Sequence, residues 1–108
     1  MVHELMANNY INAKVALTTT AATTLYTCAP ATTAIVKSIL VAAITATADA
    51  VEVTITNGAN VYTLFSGAVI GASLTVELLS EPLVVQATEV LTVTAVTANR
   101  LHVVASIL

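Results

Sequence analysis

The chain has 108 residues, 57% of them hydrophobic and only 8% charged, with a formal net charge of −3. That length holds one domain with a proper core, and the composition excludes intrinsic disorder, which needs low hydrophobicity and high charge. Three Lys+Arg residues cannot neutralise a run of phosphates and one cysteine cannot staple a disulfide scaffold, so ordinary nucleic-acid binding and disulfide-rich domains fall as well.

The apolar residues are spread along the whole chain. The longest uncharged runs, 15–36 and 53–76, are interrupted by Pro30 and many threonines in the first and by Asn57-Gly58, Asn60, Gly67 and Gly71 in the second. Neither is a continuous apolar stretch of about 20 residues, so no membrane partner is expected. Met1–Leu5 lacks the basic and apolar regions of a secretory signal. The expectation is a soluble chain whose Thr, Ala and Ser surface is weakly hydrated and suited to being covered by neighbours.

Residues 1–10 show no strong pattern and read as an N-terminal arm, either a frayed terminus or a segment that adds to a partner's sheet edge. Residues 11–108 read as a single β domain, because Val, Ile and Thr dominate and alternate with period two. In Ile11–Leu17, the residues Ile11, Ala13, Val15 and Leu17 alternate with Asn12, Lys14 and Ala16. Thr23–Thr27 is a short strand ended by Pro30. Residues 33–46 form a long one, with Ile35, Ile39, Val41 and Ala43 on one side and Val36, Leu40, Ala42 and Ile44 on the other, interrupted by Lys37-Ser38. A short helical turn is allowed at 46–50. Residues 51–56 turn inward Val51, Val53 and Ile55, and Asn57-Gly58, as the centre of a type I′ turn, joins them to 61–65. Gly67 and Gly71 flank Val69-Ile70. Residues 74–78 turn inward Leu74, Val76 and Leu78. Glu81-Pro82 opens a strand at 83–86. Residues 91–95 and 101–107 close the set with Leu91, Val93 and Ala95, then Leu101, Val103, Ala105 and Ile107, inward. About eight short strands without crossover helices predict an all-β, antiparallel two-sheet β-sandwich of jelly-roll type.

Chemistry is sparse. A metal centre needs three or four converging ligands, whereas His3, Cys28 and His102 have no ligand spacing. Cys28 has no neighbouring base to make it a nucleophile and reads as a small filler at a strand end; a lone thiol suits a reducing compartment. Asp49 and Glu52 sit three apart beside a turn, and Glu77, Glu81 and Glu89 are scattered, so no facing carboxylate pair is implied. Nucleotide, hydrolase and Cys-x-x-Cys motifs are absent, and with no Trp a sugar-stacking platform is missing. The expectation is no enzyme, no catalytic residue, no metal and no cofactor. What remains is contact surface: the threonine-rich rows, the arm with Asn8, Asn9 and Tyr10, and the outward pair Arg100 and His102.

Met6-Ala7-Asn8-Asn9-Tyr10, Thr24-Leu25-Tyr26-Thr27, Ala34-Ile35-Val36-Lys37-Ser38-Ile39 and the ending from Asn99 through Arg100, His102 and Ser106 to Leu108 together resemble small virion structural proteins of tailed bacteriophages, those of marine phages and cyanophages among them. The resemblance spans Met6 to Leu108. It places the usual start at Met6, which makes Met1–Leu5 an extension, and it departs from the pattern at Cys28-Ala29-Pro30-Ala31-Thr32, where Pro and Gly often follow the Leu-Tyr-Thr run. It implies a β-sandwich component of the particle. The expectation is a capsid decoration, or cement, protein that binds the outside of the major capsid protein lattice as a homo-oligomer, a trimer matching local threefold positions, after assembly in the bacterial cytoplasm. A neck, collar, tail or fibre-base component is the alternative within the class, and a host-glycan-binding module the alternative outside it.

Overall fold

A computed structural model describes residues 10–108. The predicted arm, with Asn8 and Asn9, lies outside the described residues except for Tyr10. Nine strands follow in chain order: β1 (Ile11–Leu17), β2 (Thr23–Thr27), β3 (Ala34–Ala43), β4 (Asp49–Asn57), β5 (Asn60–Ile70), β6 (Thr75–Glu77), β7 (Leu83–Val85), β8 (Val90–Ala95) and β9 (Leu101–Ile107). Among the described residues there is no helix, and every strand pair is antiparallel. One sheet runs β1-β9-β3, with β6 and β7 both on the far edge of β3; the other runs β2-β8-β4-β5. The all-β, two-sheet sandwich expected from the alternation is what forms.

The core is the set of inward rows. Leu17, Val36, Ile39, Val41, Leu101, Val103 and Ile107 come from the first sheet and face Val51, Val53, Ile70, Leu91 and Val93 from the second, all at 0–1% exposure. Each such side chain contributes about 1.5–3 kcal/mol by leaving water. β-branched residues hold these positions at little rotamer cost in a pleated strand.

Several expectations need correction. The long third strand is shorter, Ala34–Ala43, and it changes phase: Ala34 and Val36 are buried, then Ile39, Val41 and Ala43, while Ile35 is only half-buried. The cause is a bulge. Val36 pairs with Ile107 but Ser38 pairs with Ser106, so Lys37 is an extra residue on β3 and every later side chain switches face. The segment at 46–50 is no helical turn; it bends, and Asp49-Ala50 already belong to β4. The hairpin turn is centred on Gly58-Ala59, because Asn57 pairs with Asn60. Only Gly58 takes positive φ, +62°, which is the II′ rather than the I′ pattern.

β5 continues past Phe65 to Ile70, absorbing Val69-Ile70. It does so through two register breaks, between Ala68 and Phe65 and between Phe65 and Thr63, with Gly67 at φ +76° in the first. The strand expected at 74–78 is only Thr75–Glu77, with Leu74 exposed and Val76 and Leu78 half-buried. β7 ends at Val85, one residue early. Ile11 lies at an open strand end and is exposed, and Ile55, toward the hairpin tip, is half-buried.

Candidate interaction surface

The outer face of the first sheet is built by register. Lys14 pairs with Val104, Val104 with Leu40, and Leu40 with Glu77. These four lie in one row across four strands, with a cation at one edge, a carboxylate at the other and two apolar side chains between. The next row is Ala16, His102, Ala42 and Thr75. A shallow groove of about 280 Å³ follows the β1–β9 side of these rows, lined by Lys14, Val15, Ala16, His102, Val103 and Val104.

Glu77 also has a structural task. β6 and β7 leave the bulged stretch of β3 between them without a partner strand. There the Glu77 carboxylate accepts the Ile39 N–H at 2.8 Å and the Leu79 N–H at 3.1 Å, while Leu78 donates to the Ile39 carbonyl. A side chain thus replaces the missing backbone acceptor.

The outer face of the second sheet is a threonine row. Thr24, Thr92, Thr54 and Thr63 stand opposite one another across β2, β8, β4 and β5. At the sandwich end where β9 begins, four loops meet: 18–22, 44–48, 71–74 and 96–100. Backbone bonds knit them, among them Asn99 N–H to the Leu17 carbonyl, Ile44 to Arg100 and Ser73 to Thr45. Ile44, Val69, Leu74 and Val96 are all at least 50% exposed around this end. Its one buried acid, Asp49, accepts the Thr97 N–H at 3.0 Å, and Arg100 reaches the Ala48 carbonyl at 3.4 Å.

The structure disperses the residues singled out in the sequence. His102 is exposed in the groove, and Arg100 sits one residue before β9 at the looped end. Tyr10 is exposed at the opposite end, beside Ile11, whose partner is Ile107. The seven residues of β1 separate it from Arg100 by about 20 Å. Lys14, Leu40 and Glu77 were missed as a group. Each is unremarkable in its own segment, and only the pairing of four strands aligns them.

Cys28 is buried just after β2, with its Sγ 3.5 Å from Thr32 Oγ1. Burial pushes the Tyr26 phenol above its usual value, and the nearby Cys28 thiol adds to the shift. Among the described residues no group of three His, Cys, Asp or Glu side chains is placed to hold a metal, and no helix is long and apolar enough to cross a membrane. Compared with known proteins, the chain matches no family model, no curated protein and no solved structure.

Proposed function

We propose that this chain is a virion structural protein of a tailed bacteriophage, a capsid decoration protein that binds the outside of the major capsid protein lattice as a homotrimer and stabilises the head. The observation that carries this reading is the surface: a sandwich whose exposed rows and loop end are largely apolar or threonine-rich, with Lys37 and Glu52 the only exposed charges on its interior strands. Such a surface is suited to adhesion between proteins. Many modest contacts acting together stiffen a shell more than any one of them does.

The strand order supports the same reading. β1 pairs β9, β2 pairs β8, β3 pairs β6 and β7, and β4 pairs β5. These are nested antiparallel pairs, the pattern of one long hairpin rolled into two sheets, and we read it as a jelly roll. In that arrangement the first and last described strands, β1 and β9, pair with each other along their whole length.

The test is location and copy number in purified particles. A decoration protein is present in copies on the order of hundreds per head, at symmetric positions on the outside. Heads stripped of it should release DNA at a lower temperature, and adding the purified protein back should restore them. A ring of about six to eighteen copies at the neck or tail would replace this reading with the connector alternative.

A further inference from the structure

We propose that copies of this chain join head to tail through the first sheet, β1 of one copy lying against β6 of the next, with Lys14 facing Glu77 of that next copy. The inference rests on the self-association in the functional reading above and names the surfaces that make it.

The four sheet edges differ in what they offer. β5 is broken by two bulges, β2 by one between Thr24 and Tyr26, and bulged edges twist away from a partner. The β6/β7 edge is two three-residue pieces with Pro82 between them. β1 alone keeps an unbroken register, seven consecutive pairs with β9, and has neither glycine nor proline. Its outer side pairs with no other described strand. Such an edge is open to strand addition.

Charge and strand direction choose the occupant. Lys14 is the central residue of β1 and its only charge, so two β1 strands meeting about a twofold at their centres would oppose Lys14 to Lys14. The opposite edge of the same sheet presents Glu77 in the same row. Directions alternate from β1 through β9 and β3 to β6, so β6 of a following copy runs antiparallel to β1. The rows continue across the junction: Lys14 to Glu77, Ala16 to Thr75, and Ile11 to Leu83, which shares its row through Ile107 and Val36. Oε2 of Glu77 holds the two backbone N–H groups, which leaves Oε1 for the lysine. A head-to-tail contact of this kind closes into a ring when the rotation allows, three copies here, and each copy uses both of its edges once.

The experiment uses the full chain with cysteines placed at Ala16→Cys and Thr75→Cys, two exposed positions in one row. Neighbouring strands bring Cα atoms to about 4.5–5.5 Å, within disulfide reach. Under mild oxidation the double variant should give a covalent ladder ending at trimer on a non-reducing gel. Each single variant should stay uncrosslinked, as the native Cys28 is 1% exposed. Lys14→Glu, folded by circular dichroism, should raise the subunit dissociation constant about tenfold, as an attractive cross-strand pair becomes repulsive. Covalent dimers from Ala16→Cys alone would overturn the proposal, because β1 would then meet itself. A wild-type oligomer whose double variant forms no cross-link would overturn it too, yet leave self-association standing. A wild-type chain monomeric throughout a concentration series would remove both.

Discussion

β9 and β3 lie side by side in one sheet and are built from the same kinds of residue. β9 keeps a single phase: Leu101, Val103, Ala105 and Ile107 are buried, with His102 exposed between them. β3 slips at Lys37, and its inward row is stitched from two phases, Ala34 and Val36, then Ile39, Val41 and Ala43. The difference lies in their neighbours. β9 is flanked on both sides by long strands, β1 and β3, whereas β3 borders two short strands with a gap between them. A strand held on both sides has no freedom to bulge. A strand facing a gap does, and it then needs another acceptor for the backbone group the gap leaves bare.

The largest effect should come from breaking the regular member. Val103→Asp puts an unpaired charge in the middle of the core at a position with 0% exposure. It should cost more than about 4 kcal/mol and leave no soluble folded protein. His102→Asp, one residue away but outward, should change stability by less than about 0.5 kcal/mol. Urea denaturation of the pair measures how completely the sheet separates its faces. Similar losses in both would mean that the outer face is itself covered.

The same contrast explains which parts of the fold could be read from the residues. β9, β8 and the stretch of β4 from Val51 to Val53 are legible, because each alternates strictly and is buried on one face only. The phase slip of β3 is not. Lys37-Ser38 signalled an interruption, but only pairing with Ile107 and Ser106 reveals that one residue is extra. The continuation of β5 past Phe65 is hidden for a similar reason: Gly67 resembles a turn signal, yet at φ +76° it serves a bulge inside a strand. The candidate surface was least legible. His102 was recognised as outward-facing, but the row from Lys14 to Glu77 joins residues of β1, β9, β3 and β6 that lie far apart in the chain.

The irregular member should break at Glu77. Glu77→Ala removes the acceptor for the Ile39 and Leu79 N–H groups, and Ile39 is fully buried. The expected loss is about 1–2 kcal/mol in urea denaturation, the cost of unsatisfied donors near the core. Glu77→Gln keeps a carbonyl oxygen that can accept both N–H groups, as Oε2 does, but loses the charge that strengthens the bonds, and should recover roughly half of it. Amide exchange should locate the damage, with faster exchange at Ile39 and Leu79 and unchanged protection at Val103. Equal cost for Ala and Gln, with no change at Ile39, would show that the bulge is held by packing alone.

The smallest effect should be a gain, at the turn that leads into β3. Ala31 takes φ +62° after Pro30, the left-handed third position of a type II turn, and Thr32 Oγ1 donates to the Ala29 carbonyl at 2.7 Å to close it. An L-residue with a Cβ is strained there, by about 1 kcal/mol relative to glycine. Ala31→Gly relieves that strain but also loosens the unfolded chain, which offsets part of the gain. The net should be a stabilisation of about 0.5 kcal/mol, seen as a higher urea midpoint with an unchanged slope. This turn lies on the β3 side of the comparison, and no strained position lies within β9. A matching gain is therefore unavailable in β9, where every residue already sits in the extended backbone its side chain prefers. If Ala31→Gly instead lowers stability, the turn's rigidity is what sets the start of β3, and the slip at Lys37 begins from a fixed point rather than a free end.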